Sequence, residues 1–180
     1  MAAGRPFVFT SIAMVFDHEP DGPHHIDHER TARDNYGRHK IAGEDAITAA
    51  NPQAMIARIG WQIDPTQPGN NMLTALDDWQ RREDRVAASR AGTPACSFIA
   101  DMAAALLSLI DQPHAGAHHL DSNAQEAWRF DELALALADC FERGWQVQAH
   151  EDYRHDQRLI GGTLQLPGLS SRLSAMRRRH

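Results

Sequence analysis

Several features are scarce in this sequence, and each scarcity argues against a class of protein. Its two cysteines, Cys96 and Cys140, are too few for a disulfide framework and match no metal-ligand spacing, so we expect both to be small buried side chains. No apolar run approaches the roughly 20 residues of a membrane span, since the longest helical one, Met102–Ile110, lies between two aspartates. No secretion signal is visible at the N-terminus. These features predict a cytoplasmic protein without a membrane partner.

Positive charge is also in short supply. The 180 residues carry a net charge of −6 with the histidines neutral, which argues against a nucleic-acid partner because phosphate backbones attract basic surfaces. Hydrophobic residues make up 42% of the chain and charged residues 23%, as in ordinary globular proteins. The length suits one domain, or slightly more than one, with a substantial core.

Lysine is the scarcest cation, because Lys40 is the only lysine among the 18 lysine and arginine residues. Lys40 follows Tyr36, one of only two tyrosines, by four residues. Side chains at this spacing share one face of a helix, so the ammonium would lie beside the phenol. A cation there lowers the free-energy cost of ionising the phenol, which suits it to general acid–base catalysis. Chance placement of two scattered residues is the alternative reading.

The first third of the chain has the pattern of a strand, a helix and a second strand. The apolar, β-favouring run that begins in Arg5–Phe16 is typical of a buried parallel strand, and residues 17–33 form a polar loop. Asn35–Ala50 is predicted to be a helix that ends at the Asn51–Pro52 step. Ala54–Trp61 is the second apolar strand. This order predicts a βαβ crossover, hence an α/β fold with a parallel sheet.

The remaining residues continue the alternation of helices and short strands, with loops at residues 65–71 and a turn at residues 91–94. Apolar residues recur at helical spacing in three segments, namely Met72–Arg85, Ser97–Asp111 with Ser97 as N-cap, and Phe130–Arg143 with Gly144 as its stop. Short strands are predicted at Val86–Ser89 and Gly116–Leu120.

Several segments, taken in order, resemble one known family, the dTDP-4-dehydrorhamnose reductases. The most specific is Tyr36-Gly-Arg-His-Lys-Ile-Ala-Gly-Glu44, which is similar to the family's Tyr-Gly-x-x-Lys-x-x-Gly-Glu helix. The others are Ser11-Ile-Ala-Met-Val-Phe-Asp17, Arg58-Ile-Gly-Trp61, Gly69-Asn-Asn71, Gly92-Thr-Pro94 and Gly116-Ala-His-His-Leu120. The resemblance extends from about Arg5 to Leu173. These enzymes are extended short-chain dehydrogenase/reductases that act on nucleotide sugars.

The resemblance implies a fold and a reaction. It implies the C-terminal part of a Rossmann-type parallel sheet, in residues 1–62, joined to a small substrate-binding α/β subdomain, in residues 63–180, with segments that return to the sheet. The cofactor would be NADPH, bound through Tyr36 and Lys40, with Tyr36 protonating the keto oxygen of a nucleotide-sugar substrate. The expected substrate-binding residues are Trp61, Arg58 and Asn71, of which Trp61 would stack on the sugar.

Three positions depart from the family pattern. The catalytic Ser or Thr of the family falls on Ile12, its neighbouring Tyr falls on Met14, and the Thr before the Trp falls on Ile59. Ser11 is a poor substitute for the lost hydroxyl, because adjacent residues of a strand face opposite ways. Loss of a positioned donor at a reacting oxygen typically costs about two to three decades of rate.

The 12 glycines of this sequence nowhere form the Gly-rich motif of the turn that binds the pyrophosphate of a dinucleotide. The sequence opens at what resembles the fifth strand of the family's sheet, which would leave the edge of that strand exposed. We therefore expect either self-association or a partner that covers this edge, or else a fragment of a longer reading frame.

Two further groups of residues have alternative readings. The polar loop collects His18, His24, His25 and His28 among acidic residues, which could bind Zn²⁺ or Ni²⁺, but no closed four-ligand spacing is evident and a solvated loop without metal is preferred. Arg58 lies in an apolar strand, where it is either a buried ion-pair partner or a contact to the phosphates of the nucleotide sugar. His118 and His119 would face opposite sides of their strand.

Two functions of different classes follow. The first is an NADPH-dependent reductase of a 4-keto nucleotide sugar, which the retained Tyr36 and Lys40 favour. The second is a non-catalytic sugar-nucleotide-binding or regulatory subunit of the same family, which the apolar residues Ile12, Met14 and Ile59 favour.

Overall fold

The computed structural model describes residues 5–178. In this range the strands are β1 Val8–Ile12, β2 His24–His25, β3 Met55–Ile59, β4 Trp61–Ile63, β5 Val86–Ser89, β6 Gly92–Thr93, β7 Cys96–Phe98, β8 Gly116–Leu120, β9 Val147–His150, β10 His155–Asp156 and β11 Leu159–Ile160. The α-helices are α1 Asn35–Ala50, α2 Met72–Glu83, α3 Ile99–Asp111, α4 Phe130–Cys140 and α5 Leu169–Arg177, and a 3₁₀ helix spans Ala13–Phe16.

A parallel sheet of three strands, in the order β1-β3-β8, forms the centre of the molecule. Val8 pairs with Met55 at one end and Ile59 pairs with Leu120 at the other, so the strands run in register. Helix α1 is the crossover between β1 and β3, as the βαβ pattern predicts. The α/β fold class with parallel strands is thereby confirmed.

Helix α1 has the bounds that the sequence predicts, and local chemistry explains both ends. The Asp34 carboxylate caps the helix by accepting a hydrogen bond of 2.9 Å from the Gly37 N–H. The helix ends at Asn51, just before Pro52, which disfavours helical geometry in the residue that precedes it. Its only fully buried residues are Gly37 and Glu44, so the face that meets the sheet is not an ordinary apolar stripe.

Buried apolar residues form three clusters, of which two hold most of the helices in place. The first lies between the central sheet and α3, where Met102 and Leu109 pack with Met55, Ala57 and Leu120. The second, larger core is built by α2, α4 and α5 with the short parallel strand pairs β4–β7 and β5–β9. Within it Leu76, Leu133 and Leu137 are fully buried.

The second predicted strand is interrupted where the chain turns out of the central sheet. Strand β3 ends at Ile59, and after Gly60 the chain continues as β4, which pairs with β7 instead of β8. The Trp61 N–H donates to the Ala95 carbonyl at 2.8 Å. A Cβ atom at Gly60 would collide with the Ala95 backbone, so this close approach requires glycine. Trp61 is thereby separated from the sheet.

Several predicted bounds need correction. Strand β1 ends at Ile12, and Ala13–Phe16 is a 3₁₀ helix. Ser97 is not an N-cap: it lies in β7, where its hydroxyl accepts a hydrogen bond from the Ser122 N–H at 3.1 Å, and α3 begins at Ile99. Helix α4 ends at Cys140, and the residue with left-handed geometry is Glu142, with φ of 51°, instead of Gly144.

Two-residue strands also occur within the predicted loop and turn, as β2 and β6. The proposed division at residue 62 stays a prediction, and the outermost residues of both parts, 1–4 and 179–180, lie outside the described residues. Within residues 5–178, none of the helices has both the length and the apolar character that crossing a membrane requires.

Candidate functional site

A cleft of about 630 Å³ opens beyond the carboxyl ends of β1 and β3. Ligands of open parallel sheets bind in this position, outside the carboxyl ends of the strands. The apolar lining consists of side chains of Ile12, Ala13, Met14, Ile59, Trp61, Trp79, Ala87, Pro94, Ala95 and Phe130. The polar lining consists of Tyr36, Asn70, Ser89, Thr93, His150, Tyr153, His155 and Gln157. Such a mostly apolar cleft with a few polar groups is the common form of a small-molecule site.

Tyr36 lies at the start of α1, where it is 55% exposed and lines the cleft. The Lys40 ammonium lies 5.9 Å from the centre of the Tyr36 ring and 5.1 Å from that of Phe9. It also donates a hydrogen bond of 2.9 Å to the Thr10 carbonyl oxygen. The structure therefore brings the phenol and the ammonium to one face of α1, as the spacing predicts, and fixes the ammonium to the edge of β1.

Gly37 allows α1 to approach the 3₁₀ helix so closely that Tyr36 reaches the cleft. A Cβ atom at this position would lie 2.9 Å from the Met14 carbonyl oxygen and 2.8 Å from an Asp34 carboxylate oxygen. Both distances are shorter than van der Waals contact, and the first involves backbone that cannot rotate away. The close approach of α1 to the 3₁₀ helix therefore explains on steric grounds why glycine follows the tyrosine in the Tyr-Gly-x-x-Lys segment.

An aromatic wall closes another side of the cleft. Trp61 is 37% exposed, and its ring centre lies 6.2 Å from that of Phe130. Phe130 in turn stacks on Trp79 at 6.4 Å. Trp61 was predicted from the sequence as a sugar-stacking residue, and its partly open ring lines the cleft as that role needs. Trp79 and Phe130 were not predicted.

Arg58 does not line the cleft. It is 5% exposed, and its guanidinium forms a two-pronged pair with Glu44 of α1, with Nε to Oε1 at 3.1 Å and a terminal nitrogen to Oε2 at 2.8 Å. Burial alone would raise the pKa of Glu44, but the hydrogen bonds and positive charge of Arg58, together with the charge of Arg30, lower it. Of the two readings left open for Arg58, this geometry favours the buried ion pair over the phosphate contact.

His119 completes this cluster. A terminal nitrogen of Arg58 lies 3.2 Å from its Nε2, and its Nδ1 lies 2.9 Å from the Ile160 carbonyl oxygen. Because a guanidinium can only donate, Nε2 must accept and Nδ1–H must donate, which fixes the neutral tautomer. Burial, followed by the Arg58 charge, lowers the pKa of His119 to about 4. His118 makes a separate contact, with Nε2 2.6 Å from the His114 carbonyl oxygen, so the two histidines do not form a joint site.

Asn71 is also placed away from the cleft. It caps α2: its side-chain oxygen accepts from the Thr74 N–H at 3.2 Å, and its amide donates to the Gln67 carbonyl at 3.0 Å. Asn71 is 5% exposed, whereas its neighbour Asn70 lines the cleft. Asn70 is therefore the asparagine that lines the cleft, whereas Asn71 caps α2, and the substrate contact of Asn71 stays a prediction.

The three apolar replacements all belong to the cleft, because Ile12, Met14 and Ile59 line it. Ser11 is fully buried beside Arg58, with which it pairs across β1 and β3. It faces the ion-pair cluster and away from the cleft, as strand alternation predicts. The hydroxyl of Ser11 therefore does not replace the one missing at Ile12.

The polar group that sequence reasoning missed lies in residues 150–157. Tyr153 and His155 both line the cleft, and the Tyr153 hydroxyl lies 2.8 Å from His155 Nδ1. The sequence signal that could have pointed to Tyr153 is the scarcity of tyrosine, since the chain has only two. The structure places both of them on this cleft. Across residues 5–178, no three His, Cys, Asp or Glu side chains are grouped to hold a metal ion, and this range includes the histidines of the polar loop.

The chain is similar to known proteins in family, sequence and structure. The family model described as RmlD substrate binding domain matches residues 1–154. The dTDP-4-dehydrorhamnose reductase of Mycobacterium tuberculosis is 27% identical over 141 residues, which cover 76% of this chain and 46% of the relative. That of Mycolicibacterium smegmatis is 32% identical over 117 residues, which cover 62% of this chain and 34% of the relative. The chain spans at most about half the length of these curated relatives.

A solved structure shares the fold. The dTDP-4-dehydrorhamnose reductase of Bacillus anthracis, determined in complex with NADP, superposes with a TM-score of 0.75 over 97% of this chain and 65% of that one. The sequence identity is 18%, so this similarity shows the Rossmann-like fold alone.

Proposed function

The chain belongs to the family of RmlD substrate binding domains, and we propose that its cleft binds a nucleotide sugar whose 4-keto group is reduced with NADPH. The curated relatives are sugar-nucleotide reductases, at low identity. The observation that carries the proposal is the joint placement of Tyr36 and Trp61 on one cleft. The first offers a phenolic proton and the second an aromatic face for a sugar ring.

Tyr36 is the proposed proton donor. When the carbonyl carbon is reduced, its oxygen becomes an alkoxide and takes the phenolic proton, so that the product is a neutral hydroxyl group and the tyrosine is left as tyrosinate. Lys40 places a positive charge beside that tyrosinate, at 5.9 Å from the ring centre, and so stabilises it. A proton from solvent then restores the phenol for the next turnover.

The described residues fit NADPH in part. Lys40 donates one of its three hydrogens to the Thr10 carbonyl and keeps two for the hydroxyls of a nicotinamide ribose, beside Tyr36. The pyrophosphate end has no such seat in residues 5–178, because no strand there leads through a Gly-rich turn into a helix. NADPH, when bound, supplies the hydride for the reduction.

Titration with NADPH tests the cofactor part of the proposal. We expect saturable quenching or enhancement of nicotinamide fluorescence, which is lost in Lys40→Ala because the ribose contact is removed. The matched control is Arg38→Ala, an exposed cation of the same helix that does not line the cleft. Absence of binding at millimolar NADPH would refute reduction by this chain alone.

Titration with dTDP-glucose tests the sugar part. Trp61→Leu should weaken binding about tenfold, because the aromatic face is lost. The matched control is Trp128→Leu, since Trp128 is a tryptophan outside the cleft. Equal loss in both variants would point to general destabilisation and would contradict the role of Trp61.

The second candidate is a non-catalytic nucleotide-sugar-binding or regulatory subunit. One observation favours it: the apolar side chains of Ile12, Met14 and Ile59 line the cleft at the positions where the family has hydroxyl groups. The two candidates differ in turnover. Binding of dTDP-glucose without oxidation of NADPH in the presence of a 4-keto nucleotide sugar would establish the second and exclude the first.

A partner or self-association remains part of the proposal. Strand β1 pairs only with β3 among the described residues, so no strand there covers its outer edge, where the Thr10 carbonyl accepts its hydrogen bond from Lys40. Phe7, next to this edge, is 46% exposed. Sedimentation velocity over a hundredfold range of concentration tests whether copies associate, and a constant monomeric value would refute self-association.

A further inference from the structure

The Tyr153–His155 pair supplies the cleft with polar groups that the Tyr36 helix does not. Tyr153 is 52% exposed, whereas His155 is 5% exposed, so the imidazole is a buried support and the phenol is the accessible group. The ring centres lie 5.8 Å apart, and the hydroxyl reaches Nδ1 at 2.8 Å. A buried partner at this distance holds the phenol in one orientation.

The backbone on either side of the pair is also fixed. The Ser89 hydroxyl donates to the Tyr153 carbonyl oxygen at 2.6 Å, and His155 pairs with Gly92 in the short parallel ladder of β6 and β10. The His155 N–H donates to the Ala91 carbonyl at 3.1 Å. A side chain built on such a support keeps its position before a ligand arrives, which lowers the entropic cost of binding.

The hydrogen bond to His155 leaves the phenol able to accept another one. His155 Nδ1 faces the Tyr153 hydroxyl and, at 3.9 Å, a carboxylate oxygen of Asp17. Burial lowers the pKa of His155, which favours the neutral ring, and burial raises the pKa of Tyr153, which favours the protonated phenol. A phenol oxygen has two lone pairs, so at least one of them stays free for the cleft whichever of the two partners donates the shared hydrogen.

We propose that Tyr153 is a sugar-binding residue of the cleft, whose oxygen accepts a hydrogen bond from a hydroxyl group of the bound sugar, and that His155 is the positioning residue that orients it. This inference rests on the proposed nucleotide-sugar function. It assigns a polar contact to a cleft in which Ile12, Met14 and Ile59 present only apolar side chains. It also predicts that Tyr153 contacts the sugar part of the ligand and does not contact the nucleotide part.

The experiment compares dTDP-glucose with dTDP by isothermal titration calorimetry. Tyr153→Phe keeps the ring and removes only the hydroxyl. We expect it to weaken dTDP-glucose binding about three- to tenfold, the size of one neutral hydrogen bond, and to leave dTDP binding unchanged. An equal loss for both ligands, or no loss for either, would overturn the inference.

A double-mutant cycle tests the role of His155. His155→Leu should weaken dTDP-glucose binding by a similar factor, and the double variant should lose no more than either single one, because both changes break the same contact. Multiplicative losses would overturn the positioning role. Thermal denaturation of each variant shows whether it is folded, and Tyr153→Phe alone decides the inference if His155→Leu does not fold. If the unaltered protein binds neither ligand, the proposed function fails as well, whereas binding that is indifferent to Tyr153 refutes only the inference.

Discussion

Acid should destabilise this protein through one identified histidine, and the size of the effect can be worked out. The pKa of His119 is lowered from 6.5 to about 4 because the ring is buried and lies beside Arg58. The unfolded chain therefore binds a proton at His119 at a higher pH than the folded chain does. The contribution of this group to folding is fully present above pH 6.5 and is lost as the pH falls from 6.5 toward 4. Between pH 7 and pH 5 the loss is about 2 kcal/mol.

Urea denaturation at the two pH values measures this loss. In the unaltered protein, the free energy of unfolding at pH 5 includes the His119 penalty together with those of all other titrating groups. His119→Gln cannot take up the proton, but it retains a donor for the Ile160 carbonyl and an acceptor for Arg58. We expect the drop between pH 7 and pH 5 to be smaller by about 2 kcal/mol in this variant.

A second histidine provides the control. His118 is the next residue of β8 and is buried to a similar degree, with exposures of 3% and 2% for His118 and His119. Its ring contacts the His114 carbonyl and the Thr163 hydroxyl instead of a guanidinium. His118→Gln leaves His119 and its contact with Arg58 in place, so the loss of stability caused by His119 should persist in this variant. The same drop in the unaltered protein and in His119→Gln would refute the reasoning.

Three further substitutions test the supports of the cleft. Glu44→Gln leaves the buried Arg58 without a counter-charge and should lower the free energy of unfolding by about 3–5 kcal/mol in urea titration. The double variant with Glu44→Leu and Arg58→Met should recover most of this loss. A double variant that loses as much stability as the two single variants together would contradict this. Gly37→Ala should cost about 1–3 kcal/mol and weaken dTDP-glucose binding, because the new methyl group meets the Met14 carbonyl; unchanged stability by calorimetry would show that α1 is free to shift. Leu137→Ala should cost about 2–5 kcal/mol because its side chain is fully buried in the larger core, with dTDP-glucose affinity unchanged in the folded fraction.

The parts of the fold that the sequence predicts well are those with strong local signals. Helix α1 has an acidic cap at one end and an Asn–Pro step at the other, and both of its bounds are as predicted. Strand β8 also has its predicted bounds, with a glycine at its start and Asp121 directly after its end. In these segments the local pattern and the tertiary structure agree, so short-range reasoning suffices.

The residues whose positions the sequence does not reveal are those whose surroundings come from distant parts of the chain. The apolar run through Ile59 and Trp61 has no periodicity that reveals the departure at Gly60, which depends on the carbonyl of Ala95. Asn70 and Asn71 are equivalent in sequence, and only the start of α2 decides which of them becomes the cap. Tyr153 owes its place in the cleft to strand β10, a two-residue segment too short to predict.

The manner in which α1 is attached has a consequence for its freedom of movement. Dispersion contacts are individually weak and lack a preferred direction, so a single apolar contact does little to fix the register of a helix on a sheet. The Glu44 carboxylate accepts two hydrogen bonds from the Arg58 guanidinium. A shift of α1 by one residue would break both of them, so no second helix position of similar energy lies nearby. The ion pair thus fixes both the position of α1 along its axis and its rotation about that axis. Because Tyr36 lies two turns away on the same helix, the direction of its phenol is fixed as well.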